Sequence, residues 1–393
     1  MNNSEFDNKE LSSEQKISEI TPPIDKTAKN KKEPLFHITK RNAVTWPQAL
    51  LIRTGAIILS FIVMALLIVI LAKENPFTLL ASMFEGLFGE PLRIWRLFSN
   101  TALLLGIALA LTPAFKMKFW NCGGEGQVIV GSLMAAMLMF FIGNKLPFPL
   151  LVIFMILSSI ITGAIWALIP AIFKAKWNTN ETLLTLMMNY IAIQIVTFFL
   201  KMFGNAQGNL DPMPEFALPH IFGGPYFLNI LLILIICVAM YIYLRFTKQG
   251  YEISVVGESE KTAKYIGINV PKVIIRTLII SGGICGLIGF LLVANGSCSV
   301  TATITSGRGF TAILVSWLAK FNPIYMVLTS FLVIFLEQGT SYMGDIYRLD
   351  TSMADIFIGV VLLFIIGCEF FINYKINFRK GLFSFKNNKE VNN

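Results

Sequence analysis

Long apolar runs separated by short polar segments occupy most of the chain between Thr54 and Phe371. Most runs are close to the ~20 residues that an α-helix needs to cross a bilayer. We therefore predict an all-α polytopic membrane protein with about ten transmembrane helices. The predicted spans are residues 54–72, 98–115, 128–142, 148–173, 180–203, 226–244, 273–294, 310–319, 323–338 and 354–371. Residues 310–319 are too short to cross alone, which favours a broken or re-entrant segment.

The composition supports this class and excludes others. Hydrophobic residues make up 55% of the chain and charged residues 14%. The net charge of +9 does not indicate nucleic-acid binding, because Lys and Arg gather at the ends of apolar runs, where they orient the helices. The five cysteines form no C-x-x-C pair and there are two histidines, so neither a disulfide framework nor a metal site is predicted. The distribution of Lys and Arg places both termini in the cytoplasm.

Three regions follow from the polar segments. Residues 1–45 are rich in Asn, Lys, Glu and Ser, which predicts a disordered cytoplasmic tail. Residues 46–374 form the membrane domain, and residues 375–393 form a basic cytoplasmic tail. Between the first two spans, apolar residues recur at helical spacing from Phe77 to Leu87, which predicts an amphipathic helix in the outer interface or an ordinary surface helix.

The hydrophilic segment 245–276 is a basic loop that should face the cytoplasm. Within it, Ser259 can cap a short helix that continues through Lys264, and Gly267 can end that helix. Such a helix, held in a cytosolic loop of a membrane protein, is a candidate docking element. An ordinary connecting loop is the alternative.

Two further stretches place polar residues at membrane depth. Residues 121–127 contain three glycines within four positions, which prevents a stable helix, so protein or water must satisfy the polar backbone. The stretch is a gate or part of a solute pathway, or else a structural turn. In span 180–203, Asn189 and Gln194 are neutral polar residues near the middle of a helix. They bond neighbouring helices, or both edge one cavity and contact solute.

These stretches resemble permease subunits of bacterial ABC importers for nucleosides or simple sugars, in the binding-protein-dependent permease family that includes ribose and nucleoside permeases. Residues 250–268 resemble the family's coupling loop, and residues 180–192 its N-E-x-x-x-T-x-M-x-N-Y-I-A motif. Residues 121–127 resemble N-I-G-x-E-G-Q, with Cys122 where the family usually has Ile. Gly307, Gly309 and Phe310 reproduce its G-x-G-F pattern. The resemblance extends from about Leu50 to Phe371.

The resemblance implies the ten-helix permease fold of the vitamin B12 importer class, and a short helix that sits in a cleft of the ATP-hydrolysing subunit. The implied ATPase-coupling residues are Gly250, Tyr251, Glu252, Gly257, Glu258, Ala263 and Gly267. The pathway or gate candidates are Asn121, Glu125, Gln127, Asn189 and Gln194.

The same resemblance implies the partners. These are an ABC ATPase subunit, a second permease that is a different chain or otherwise a second copy, and an external substrate-binding lipoprotein. The solute is small and neutral, a nucleoside or alternatively a simple sugar or riboflavin. The chain is then a transport subunit of a bacterial plasma membrane and not an enzyme. It binds no cofactor itself, since the sequence has no G-x-x-x-x-G-K-[ST] phosphate loop, and ATP is used by the partner.

Two other functional classes fit less well. A secondary transporter needs ionisable residues inside the membrane, whereas Glu337 and Glu369 fall near the ends of predicted spans. An intramembrane enzyme needs a nucleophile or metal set such as H-E-x-x-H, which the sequence lacks.

Overall fold

The computed structural model describes residues 36–40, 46–72, 75–205, 208–219, 224, 226–294, 298–347 and 351–378. These residues are almost entirely helical. The helices are α1 (Trp46–Leu67, continued by a π-helical turn at Ile68–Ala72), α2 (Pro76–Phe88), α3 (Pro91–Lys116), α4 (Gly124–Ile142), α5 (Phe148–Trp177), α6 (Glu181–Phe203), α7 (Phe227–Phe246), α8 (Lys248–Glu258), α9 (Glu260–Tyr265), α10 (Val270–Ala294), α11 (Arg308–Leu318), α12 (Pro323–Tyr347) and α13 (Thr351–Asn373). Short 3-10 turns lie at Gly143–Lys145 and Pro214–Phe216.

Within the described residues, seven helices are long and apolar enough to cross a membrane: α3, α4 with its 3-10 extension, α5, α6, α7, α10 and α12. They confirm seven of the predicted spans. The other three predicted spans correspond to shorter apolar helices, Thr54–Ile70, Arg308–Leu318 and Gly359–Ile372. The predicted amphipathic helix is α2, which buries Leu79, Met83 and Leu87 and leaves Phe77 exposed.

One expectation about charge was wrong. The predicted span 323–338 placed Glu337 near a helix end, but α12 continues to Tyr347, so Glu337 lies near the middle of the helix. The predicted span ended at Gln338 because the apolar pattern weakens there. The helix nevertheless continues through the polar residues that follow, since a helix satisfies its own backbone hydrogen bonds whatever its side chains are.

Small residues let α10 lie close against α5. Gly282 lies against the carbonyl oxygen of Gly163, and Gly286 against that of Ser159, so closely that a methyl group at either glycine would collide with backbone. Gly289 lies against the backbone of α4 in the same way. These three glycines of α10 therefore serve close helix contact. The buried core of the bundle therefore forms around α10 and α3.

The chain divides into two compact units, residues 58–366 and the two terminal portions before and after them. In the terminal unit, β1 (Phe36–Lys40) pairs antiparallel with β2 (Tyr374–Phe378), with Phe36 opposite Phe378. Residues 36–40 thus form a strand inside the stretch predicted to be a disordered tail. The rest of that prediction, residues 1–35 and 41–45, and the C-terminal tail after residue 378 lie outside the described residues.

Candidate functional site

The first group of predicted site residues is buried where the loop between α3 and α4 enters α4. The expectation that the glycines of residues 121–127 prevent a helix was wrong for residues 124–127, which form the first turn of α4, because side chains of neighbouring helices bond the free polar groups there. Asn121 is central: its Oδ1 accepts hydrogen bonds from the Gly123 N–H and the Gln127 Nε2, each at 3.2 Å. Its Nδ2 donates to the Ser281 Oγ, 3.2 Å away and near the middle of α10. Asn121 and Gln127 are 0% and 1% exposed. The loop is therefore held inside the bundle by its own side chains.

Side chains of α6 complete the bonding of this loop. The Asn189 Oδ1 accepts from the Gly126 N–H at 2.8 Å, and its Nδ2 donates to the Cys122 carbonyl at 2.9 Å. The Thr185 Oγ1 accepts from the Cys122 N–H at 3.2 Å. A side chain at Gly126 would meet Asn189, which explains the glycine. Both polar ends of Asn189 thus bond the backbone at the start of α4, which is the helix-to-helix bonding that the sequence left open as one alternative.

Glu125, in the first turn of α4, connects this region to α11. Its carboxylate accepts hydrogen bonds from the Thr305 hydroxyl, from the Gly307 N–H at 3.0 Å and from the Gly309 N–H at 2.7 Å. Gly307 has a left-handed backbone conformation (φ +76°), and Gly309 approaches the Glu125 backbone closely. The carboxylate is 6% exposed and faces the N-terminus of α11, whose free N–H groups favour a negative charge.

Arg308 anchors α11 to α3. Its Nη2 donates to the Asn100 Oδ1 at 3.3 Å, and further along the helix the Ser316 Oγ donates to the Ala108 carbonyl at 3.1 Å. The sequence did not indicate Asn100 or the partners Ser281 and Thr305, whereas Thr185 is the Thr of the motif matched by residues 180–192. The G-x-G-F resemblance marked the turn at Gly307 but not the carboxylate that binds it.

Gln194 lies elsewhere. It is exposed on α6, in a surface groove of about 390 Å³ that is otherwise lined by Tyr190, Ile191, Ile195 and Phe198. The expectation that Asn189 and Gln194 edge one cavity was therefore wrong. Five residues along a helix amount to a rotation of about 140°, which puts one residue in the core and the other outside.

The two amides allow a matched test. Replacing Asn189 with Leu leaves the N–H of Gly126 and the carbonyl of Cys122 unpaired, at about 1–3 kcal/mol for each group. We expect folded protein and solute uptake to fall together. Replacing Gln194 with Leu removes no described hydrogen bond and should preserve folded protein. Gel filtration beside uptake measures both; folded Asn189→Leu protein at the wild-type level would contradict this role.

The predicted docking element is a hairpin of two short helices, α8 and α9. The Ser259 Oγ caps α9 by accepting from the Thr262 N–H at 3.2 Å. Gly267 (φ +84°) ends it: its N–H donates to the Lys264 carbonyl at 3.1 Å, and the Ile268 N–H to the Ala263 carbonyl at 2.9 Å. These bonds form a Schellman motif and confirm the predicted helix and both of its ends. Sequence analysis contained no prediction for α8.

The hairpin presents an apolar tip and a buried base. Tyr265 is 92% exposed and Ile266 51%, whereas Ala263 is 0% exposed. Tyr251 and Glu258, on α8, are also exposed. Large exposed side chains on a segment whose base is buried form a candidate contact surface for another protein.

The base of the hairpin rests on the segment that leads to the Asn121 loop. Gly257 lies so close to the Lys116 carbonyl oxygen that a methyl group would collide with it. Gly250 similarly lies against the carbonyl oxygens of Tyr243 and Leu244. The Glu252 carboxylate pairs with Arg276 of α10 at 3.0 Å. A cavity of about 150 Å³ separates the hairpin from residues 117–119 and from the ion pair of Lys174 with Glu181.

In the part of the chain that the structure describes, no three His, Cys, Asp or Glu residues lie together in a way that could hold a metal ion. The chemistry available to the buried loop is hydrogen bonding by neutral amides and hydroxyls, plus the charges of Glu125 and Arg308. Such an arrangement can bind or guide a polar solute, or fix helices, without making or breaking covalent bonds.

Comparison with known proteins gives consistent matches over the membrane domain. The family model described as branched-chain amino acid transport system / permease component matches residues 93–366. A glucose ABC transporter permease protein of Haloferax volcanii is 27% identical over 292 residues, covering 70% of this chain and 75% of that protein. A guanosine ABC transporter permease protein of Bacillus subtilis is 26% identical over 320 residues (77% and 87%). A probable riboflavin import permease protein of Treponema pallidum is 25% identical over 298 residues (72% and 77%). No solved structure matches the chain.

Proposed function

Because the chain belongs to the family of permease components of branched-chain amino acid transport systems, we propose that it is a membrane-spanning permease subunit of an ATP-driven, binding-protein-dependent importer. The observation that carries this proposal is the α8–α9 hairpin. It has an exposed apolar tip, Tyr265 with Ile266, and a base packed on the membrane helices through Gly257. A surface of this kind suits a partner chain that hydrolyses ATP and moves the hairpin.

The contacts supply a route for that movement. Gly257 touches the end of α3, where the chain turns into the Asn121 loop. From that loop Glu125 reaches the turn before α11. A shift of the hairpin therefore displaces the Asn121 loop and α11 together, because both are bonded through one carboxylate. Within this proposal the loop belongs to a gate, and Asn121, Gln127 and Asn189 keep it rigid.

The topology we propose has ten crossings, both termini in the cytoplasm, and the fold of the vitamin B12 importer permeases, in a bacterial plasma membrane. The seven long apolar helices support it. Within this proposal the shorter helices Thr54–Ile70 and Gly359–Ile372 are two further crossings, and Arg308–Leu318, at 11 residues, completes the tenth only together with the irregular segment 298–307 before it. The hairpin follows α7 and precedes α10, so it lies on the same side of the membrane as Lys176 at the end of α5. That side is cytoplasmic by its positive charge.

For the solute we propose a nucleoside. The guanosine permease relative supports this. The glucose and riboflavin relatives make a simple sugar or riboflavin the second candidate. We place the second permease against the α6 groove around Gln194, with the solute pathway between the two subunits. An amide that faces lipid among apolar side chains costs free energy unless it meets a polar partner or water.

Reconstitution tests the function. The chain is purified from cells that also produce its ATPase partner and is placed in proteoliposomes with the loaded external binding protein. We expect the ATPase chain to co-purify, and uptake of tritiated guanosine or glucose to require both ATP and the binding protein. Uptake by the chain alone, driven by an ion gradient, would instead indicate a secondary transporter.

A further inference from the structure

A small chamber lies beside α3, in the half of the bundle opposite the hairpin. Its volume is about 190 Å³. Ser99 and Asn100 line it from α3, and Tyr226 from the residue before α7. Leu291 and Leu292 close it from the end of α10, and Leu103 from the next turn of α3. None of these residues takes part in the Asn121 loop or in the hairpin.

Hydrogen-bonding groups without partners concentrate around this chamber. Ser99 is 3% exposed, yet its hydroxyl bonds to no described residue. Asn100 uses its Oδ1 for Arg308, but its Nδ2 and the Tyr226 hydroxyl have no partner within the described chain. One turn along α7 from Tyr226, Asn229 is 0% exposed and neither atom of its amide is bonded to a described residue. Of the polar groups that line the chamber, Ser99 is buried, whereas Asn100 and Tyr226 are partly exposed. Three adjacent groups that can donate or accept hydrogen bonds therefore face one small cavity, which is the arrangement of a site for a polar molecule.

The lining selects the class of that molecule. Serine and tyrosine hydroxyls and an asparagine amide can each donate or accept, as the hydroxyls of a sugar do. The leucines provide an apolar wall for the C–H face of a sugar ring. No carboxylate lines the chamber, and its one charged group, Arg96, is exposed. Arg96 and the nearby Arg308 together disfavour a cation.

We infer that this chamber is a solute subsite that binds the hydroxylated sugar portion of the transported molecule on the outer side of the permease. The inference rests on the proposed function and topology, which place the start of α3 and the end of α10 outside. It adds that this subsite lies within one permease subunit, separate from the α6 groove. The Arg308 to Asn100 bond also joins it to α11, so movement of α11 changes the subsite.

Direct binding tests the inference without the external binding protein. The purified permease and ATPase complex is placed in nanodiscs, and binding of tritiated guanosine and of tritiated glucose is measured by scintillation proximity. Ser99→Ala and Tyr226→Phe each remove one unpaired hydroxyl and should weaken binding of the transported solute about three- to tenfold. The matched controls are Ser158→Ala, whose hydroxyl bonds within α5, and Tyr325→Phe, which is exposed on α12. Both should leave binding unchanged.

A second comparison tests whether the hydroxyls of the solute contact the hydroxyls of Ser99 and Tyr226. If guanosine is the solute, 2′,3′-dideoxyguanosine should bind the wild type more weakly than guanosine, and the double variant Ser99→Ala/Tyr226→Phe should lose most of that difference. If glucose is the solute, 2-deoxyglucose replaces the dideoxynucleoside in the same comparison. Unchanged binding in both single variants, or tighter binding of guanosine 5′-monophosphate than of guanosine, overturns the inference. A wild type that fails ATP-dependent uptake overturns the proposed function itself, whereas normal uptake with unaffected variants overturns only the subsite.

Discussion

Replacing Glu125 with alanine is expected to abolish assembled transporter, the largest effect of any substitution considered. The carboxylate accepts three hydrogen bonds, from Thr305 and from the backbone of Gly307 and Gly309. Leaving a buried donor unpaired costs about 1–3 kcal/mol, so three donors amount to a cost on the order of 3–9 kcal/mol. The amount of assembled complex measured by gel filtration should fall at least tenfold, because about 1.4 kcal/mol is enough for a tenfold change.

Two variants show whether hydrogen bonding is the cause. Glu125→Gln keeps the shape of the side chain and one acceptor oxygen, but its amide N–H faces the backbone donors at Gly307 and Gly309. Its loss of assembled transporter should therefore be intermediate. Glu337→Gln is the control for removing an acid from a neighbouring helix, because the Glu337 carboxylate accepts no hydrogen bond from a described residue and attracts Arg308 only from beyond ion-pair distance. It should leave assembly near the wild-type level. Normal assembly of Glu125→Ala would show that α11 does not depend on this carboxylate.

Gly257→Ala is expected to separate ATP hydrolysis from transport. The added methyl group would collide with the Lys116 carbonyl oxygen, so α8 must move away from the end of α3. The exposed tip of the hairpin is unaffected and can still contact the ATPase. Hydrolysis by the assembled complex should therefore persist while solute uptake falls about tenfold or more, which corresponds to about 1.4 kcal/mol in the coupled step.

The control is Gly359→Ala. Gly359 lies in α13 with no atom within 4 Å of the position its Cβ would take, so the same chemical change meets open space. Alanine is also the better helix former, and uptake should stay normal. If Gly257→Ala transports at the wild-type rate per ATP hydrolysed, the contact with Lys116 does not transmit movement.

Local signals in the sequence predicted α9 well. Ser259 and Gly267 end α9 as expected, because capping depends on residues only a few positions apart. The seven long spans followed in the same way from apolar length. The adjoining α8 was not predicted because it is short and polar, with Gly250 near its start, and tertiary contacts such as Glu252 with Arg276 hold it.

Long-range partners were beyond the reach of pattern analysis. Glu125 and Thr305 are 180 positions apart, and Asn189 and Gly126 are 63 apart, so no periodicity relates them. Polar residues in a span indicated that a partner exists, but not which one. Exposure was equally hard to predict, because lipid-facing and core-facing positions of a membrane helix are both apolar. Gln194 was consequently assigned to the interior although it lies on the surface.

Photo-cross-linking from the tip of the hairpin tests most directly whether the partner ATPase docks there. Benzoylphenylalanine is placed at Tyr265, which is 92% exposed, and in a control at Phe77 of α2, which is 80% exposed. Membranes containing the full transporter are irradiated and probed for both chains. We predict a covalent product of permease and ATPase from position 265 and none from position 77. Strong cross-linking at 77 with none at 265 would contradict the assignment of the hairpin as the ATPase contact.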